Sequence, residues 1–147
     1  MKKATLQELP VGQQQLVRQA IEARQRAYAP YSGFKVGAAL QDERDAIHVS
    51  CNVEGADYTL TTHAEMGAIN SMVRSGVLRV RIMAVAVQAK AGYAMPCGLC
   101  RQKIREFSSG PEVVVLGINL DEKEAVREIY VSTLGELLPY SFGAEHL

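Results

Sequence analysis

The chain has 147 residues, of which 48% are hydrophobic and 22% charged, the balance of an ordinary globular domain rather than a disordered or fibrous one. That length suits one domain built around one core. Lys+Arg and Asp+Glu number 16 each, so the formal charge is zero; nothing favours a nucleic acid through bulk electrostatics, and a small solute is the better partner.

No apolar run approaches the roughly 18 residues of a membrane helix, and "MKKATLQELPVGQQ" has no apolar stretch behind its lysines. The expected compartment is therefore the cytoplasm. Residues 11–27 place Leu16, Ala20, Ala23 and Ala27 at three-to-four-residue spacing, which predicts an amphipathic helix, with Pro30 ending it. "KVGAAL" (35–40) and "AIHVSCNV" (46–53) predict two strands joined as a hairpin through the polar "QDERD". A second helix is predicted from His63 to Ser75, with Gly76 as its stop. "RIMAVAV" (81–87) is nearly continuous in apolar character, as expected of a strand covered on both faces. After a loop ending at Pro96, Cys97–Phe107 reads as a third helix and "EVVVLGIN" (112–119) as another buried strand. "EIYV" (128–131) predicts a short strand, followed by a short helix stopped by Pro139. Two strand-helix-strand crossovers result, which favour an α/β sheet with helices on both faces and the opening hairpin as an antiparallel edge.

This order puts His63 and the Cys97-x-x-Cys100 pair at the N-termini of two helices. Unsatisfied backbone N–H groups there favour thiolate over thiol and prepare the cysteines as metal ligands. One imidazole and two thiolates make three ligands, the number that catalytic zinc sites use while keeping a fourth position open. Glu65, two residues beyond His63, could reach that position without binding the metal, as a proton shuttle. Taken alone, CxxC also fits a redox pair or two buried small residues, and His63-Ala64-Glu65 also fits a solvated first turn. The combination of HxE with a later PCxxC is the arrangement of zinc-dependent nucleobase deaminases. A structural zinc site would need a fourth protein ligand, for which His48 or Cys51 could be proposed, though without finger spacing; Cys51 reads as a buried thiol.

"YSGFKVGAAL" (31–40), "CNVEGADY" (51–58), "HAE" (63–65), "PCGLCRQ" (96–102) and "ELLPYSFGAEHL" (136–147) resemble, in the same order, the segments of the short cytidine deaminases. The resemblance implies a three-layer α/β/α fold with a mixed sheet, an N-terminal antiparallel hairpin and helices on both faces. It also implies one zinc per subunit and hydrolysis of cytidine or 2′-deoxycytidine to the uridine form plus ammonia. Carried over by position, it makes His63, Cys97 and Cys100 the zinc ligands and Glu65 the acid/base. By the same resemblance Asn52 and Glu54 bind the ribose 3′-hydroxyl, Phe34 packs against the nucleoside, and the backbone of Ala64 reads the polar edge of the base. Short members form homotetramers with active sites near subunit contacts, which makes Phe142 the tail aromatic that reaches a neighbouring subunit's site.

Short members usually have Cys where this chain has His63, and Arg where it has Met66. The two departures are consistent: two thiolates and a neutral imidazole balance the charge of zinc, so no arginine is needed to offset a third thiolate. Gly55 and Met95 also depart from the pattern, beside the sugar and base motifs. A modified cytidine or other aminopyrimidine nucleoside is the alternative substrate within the enzymes, and a zinc-stabilised binding module is the alternative outside them.

Overall fold

The computed structural model describes residues 1–147. Its strands are β1 (Lys2–Ala4), β2 (Gly37–Asp42), β3 (Ile47–Cys51), β4 (Val80–Val87), β5 (Val114–Leu120) and β6 (Val126–Thr133). Its helices are α1 (Val11–Arg24), α2 (Ala64–Arg74), α3 (Gly98–Glu106) and the short α4 (Leu134–Leu137). The strands form one sheet in the order β1-β6-β5-β4-β2-β3. Only β4 and β5 run parallel; the β2–β3 hairpin closes one edge and the β1–β6–β5 ladder the other, all antiparallel.

Alternation along the strands divides the core in two. Ala39, Ala84, Ala86, Leu116 and Ile118 face α1, where they meet Leu16, Val17 and Ala20. Ala38, Leu40, Met83, Val85 and Val87 face the other way, onto Ala64, Ile69 and Met72 of α2 and Ile104 of α3. Strand β4 thus needs apolar residues at every position, which is why "RIMAVAV" shows no alternation. This is the three-layer arrangement. No helix of the chain is long and apolar enough to cross a membrane.

Several boundaries differ from those the sequence predicts. Helix α1 ends at Arg24, well before Pro30, because the N–H groups of Arg26 and Ala27 bond three residues back, to Ala23 and Arg24, and close a tight turn. The Arg24 side chain is buried there; its Nε donates to the Lys35 carbonyl at 3.1 Å and its terminal nitrogens to Glu124 at 2.8 Å and Gln88 at 3.5 Å. Strand β2 extends to Asp42, which is buried at the hairpin turn and accepts N–H bonds from Arg44 and Ala46 and a contact from His48 Nε2 at 2.8 Å. Strand β6 has eight residues rather than four, because pairing with β5 on one side and β1 on the other sustains it beyond its apolar centre. Helices α2 and α3 begin one residue inside the predicted starts, with His63 and Cys97 as their N-caps, and Gly76, at φ +83°, follows the end of α2.

The parallel pair sets the position of the site. In parallel α/β sheets ligands bind beyond the carboxyl ends of the strands, where helix N-termini gather. Here that end holds the start of β2, the exit of β3, and the N-termini of both α2 and α3. The start of β2 lies close against α1: a Cβ at Gly37 would run into the Ala20 carbonyl and the Arg24 amide, both backbone. Gly37→Ala should therefore force the layers apart and lower stability by about 1–3 kcal/mol, read as a lower midpoint in urea with an unchanged slope. An unchanged midpoint would contradict this close packing.

Candidate active site

Two helix starts build the centre. His63 caps α2, Cys97 caps α3, and Cys100 lies in the first turn of α3. His63 Nδ1 stands 3.5 Å from Cys97 Sγ and 3.3 Å from Cys100 Sγ, and all three ligand atoms lie within 4.8 Å of one another. Tetrahedral zinc, with its Zn–S and Zn–N bond lengths, spaces such atoms roughly 3.5–3.8 Å apart. Size and donor chemistry therefore both fit zinc: a borderline-soft cation suits one imidazole nitrogen and two sulfurs. The backbone before Cys97 is fixed by Arg101, which donates from Nε to the Pro96 carbonyl at 2.7 Å and from a terminal nitrogen to the Leu137 carbonyl at 3.0 Å. His48 and Cys51 lie on β3 and are not part of the cluster, which leaves three protein ligands rather than four.

Glu65, only 4% exposed, sits beside this cluster. Burial pushes its carboxyl above the usual range, opposed by its own backbone N–H, by Cys100 and by His63. Burial likewise pushes the Cys100 thiol up, and the negative charges of Glu65 and Cys97 add to the effect. A buried thiol and a buried carboxyl side by side resist ionising together; a divalent cation is what such a set accommodates.

A cleft of about 1540 Å³ opens above the centre. Of the residues singled out in the sequence, Phe34, Asn52, Glu54, His63, Ala64, Glu65 and Cys97 line it. Cys100 is buried beneath. Phe142 is not brought in: it is 57% exposed on the tail, stacked on His146 at 5.0 Å, with its carbonyl held by Gln102 at 2.9 Å. It is not a plug for its own core. Of the departures from the short-form pattern, Met95 lines the cleft, whereas Gly55 and Met66 do not.

Asn52 and Glu54 follow the end of β3 and grip the loop that carries Phe34. Asn52 Oδ1 accepts from the Val36 N–H at 2.8 Å and its Nδ2 donates to the Phe34 carbonyl at 2.9 Å. One Nδ2 hydrogen is left over. Glu54 accepts from the N–H groups of Tyr31, at 3.0 Å, and Ser32, at 3.2 Å, and from the Ser32 hydroxyl; that hydroxyl first, and then the two N–H groups, hold its carboxyl below the usual range against burial. The opposite wall, residues 88–96, is fastened by Asn119, fully buried, whose Oδ1 accepts from the Ala89 N–H at 2.9 Å. Gly117 lets the Ala94 carbonyl lie directly over β5. Ser32 and Asn119 were not legible as site residues. Their main partners lie more than twenty residues away, and although Ser32 falls within "YSGFKVGAAL", no local spacing announces a role for either.

The comparisons with known proteins agree with this geometry. The family model for the cytidine and deoxycytidylate deaminase zinc-binding region matches residues 11–117. A cytidine deaminase of Sporosarcina psychrophila is 39% identical over 134 residues, 91% of this chain and 93% of that protein. One from Halalkalibacterium halodurans is 41% identical over 135 residues, 91% of this chain and 96% of that protein. Among solved structures, the cytidine deaminase of Burkholderia pseudomallei superposes with a TM-score of 0.78 at 37% identity, covering 87% of this chain and 97% of that one. The cytidine deaminase of Mycobacterium tuberculosis gives 0.71 at 33% identity, covering 91% and 99%. With its His/Cys/Cys cluster at two helix starts and a matching family model over most of its length, the chain belongs to the cytidine and deoxycytidylate deaminase family.

Proposed function

We propose that the protein is a zinc-dependent deaminase that hydrolyses cytidine or 2′-deoxycytidine to the uridine form and ammonia. The observation that carries this reading is a three-ligand cluster that fits zinc, with a buried carboxyl beside it, in a cleft with room for a nucleoside. His63 Nδ1 and the thiolates of Cys97 and Cys100 hold the zinc, which when bound supplies the Lewis acidity that makes hydroxide available near neutral pH. Glu65 takes one proton of the attacking water and delivers it to ring nitrogen 3 as carbon 4 becomes tetrahedral, then takes the second proton from the new hydroxyl on carbon 4 and passes it to the departing amino group as the carbonyl forms. Ammonia leaves in place of an amide anion. The backbone of Ala64 reads the polar edge of the base, and Phe34, 47% exposed in the cleft, is covered by the nucleoside. Asn52 and Glu54 hold the ribose 3′-hydroxyl with the donor and acceptor capacity that the loop leaves them. Met95 in the cleft wall supports a second reading, an aminopyrimidine nucleoside carrying a further substituent.

The homotetramer belongs to the same proposal, with Phe142 completing a neighbouring subunit's site. Its support is the exposed ring and the way α3 grips the tail: Gln102 holds the Phe142 carbonyl, and Arg105 pairs with Ser141 and Glu145. Three free cysteines suit a reducing compartment, the cytoplasm.

Zinc-loaded wild type should bind about one equivalent of zinc and the Cys97→Ser variant less than about a tenth as much, measured by metal analysis after dialysis; equal content in both would exclude Cys97 as a ligand. Glu65→Gln should keep its zinc yet lower kcat on cytidine about a hundredfold to ten-thousandfold, followed by ultraviolet absorbance. An active Glu65→Gln enzyme would require another proton carrier. A chain ending at Pro139 should lose activity, assembly or both, and an active truncation with an unchanged number of subunits by light scattering would remove Phe142 from the mechanism.

A further inference from the structure

Resting on the nucleoside reading of the cleft, we infer that Ser32 is a positioning residue that orients the sugar-facing carboxylate of Glu54, its own hydroxyl held by the Phe34 N–H. The bond directions are fixed by chemistry. A backbone N–H can only donate and a carboxylate can only accept, while a hydroxyl does both. The Phe34 N–H donates to Ser32 Oγ at 3.0 Å, and the Ser32 hydroxyl in turn donates to Glu54 Oε1. The other carboxylate oxygen, Oε2, takes the N–H groups of Tyr31 and Ser32. A directional chain therefore runs from the backbone of the aromatic residue, through one hydroxyl, into the carboxylate, and each bond polarises the next.

The backbone is shaped for this chain. Gly33, at φ +68°, supplies the left-handed turn between Ser32 and Phe34, across which the Phe34 N–H reaches Ser32 Oγ. Asn52 holds the loop's far end through the Phe34 carbonyl and the Val36 N–H. Ser32 is the one side chain of residues 31–36 that bonds back to Glu54. Ser32, Phe34, Asn52 and Glu54 all line the cleft that holds Glu65. A carboxylate oriented in advance meets a sugar hydroxyl without the entropy cost of ordering itself on binding. Ser32 should therefore act on substrate affinity and not on the proton transfers, which take place at the start of α2.

The test compares cytidine with 3′-deoxycytidine on zinc-loaded wild type, Ser32→Ala and Ser32→Thr. Wild type should favour cytidine. Ser32→Ala should raise the KM for cytidine about fivefold to twentyfold with kcat held within about twofold, and should leave the KM for 3′-deoxycytidine nearly unchanged. Ser32→Thr, which restores a hydroxyl, should recover most of the loss. If wild type discriminates between the two nucleosides and Ser32→Ala does so equally well, the role of Ser32 is overturned while the sugar reading stands. Parallel losses on both nucleosides would show a structural effect on the loop and would also overturn it. A wild type that turns over both nucleosides alike, or neither, removes the sugar reading and this inference with it.

Discussion

Everything at the centre of this protein depends on bringing a buried carboxyl and a buried thiol up against a half-buried imidazole and a second, exposed thiol. Such a group of side chains repels itself when ionised and is poorly solvated, so no local preference of the chain would assemble it. The fold does so with helix starts. His63 and Cys97 are not inside α2 and α3 but at their caps, where the backbone still offers free N–H groups and the helix field favours negative charge. The parallel β4–β5 pair and the crossover through α3 bring those two caps to one end of the sheet. The choice of His63 is part of the same electrostatics. Two thiolates and a neutral ring already match a divalent cation, and Met66, next to Glu65, carries no charge to balance.

Around that centre, binding and chemistry are assigned to different parts of the chain. The reacting atoms would meet residues of α2 and α3. The sugar would meet residues at the root of the β2–β3 hairpin, where Asn52 and Glu54 use most of their polar capacity to hold the loop between Tyr31 and Val36. These two residues shape the cleft as well as line it. An arrangement of this kind favours rigidity over adaptability, because the acceptors that would meet the sugar are already held by neutral donors.

The metal set was legible in the sequence because its chemistry is local: HxE and CxxC each place their members within one turn of helix, and few residue types can serve. Strands β4 and β5 were legible because burial on both faces leaves an unbroken apolar run. Strand β1 was not, since Lys2 and Lys3 lie at an exposed edge and are held by backbone pairing with β6 and by the Lys3–Glu128 ion pair at 2.6 Å rather than by burial. The end of α1 was misjudged for a related reason. Pro30 is a strong local signal, but the helix stops where Arg24 turns inward to partners at 35, 88 and 124. Asn52 and Glu54 were named from a family pattern as sugar ligands, and their second task, holding the loop, depends on contacts between residues 16 to 23 positions apart.

Arg24 approaches the cleft from behind, through the α1 face of the sheet. Its guanidinium touches the root of the Phe34 loop at Lys35, the first residue of the opposite wall at Gln88, and the β5–β6 turn at Glu124. The group is planar and rigid, with its five N–H bonds in a fixed fork; it meets Lys35 at the backbone and Gln88 and Glu124 at their side-chain oxygens. One cation thereby ties three loops around the mouth together, a linkage that a lysine, with a single nitrogen, could not make in the same planar geometry.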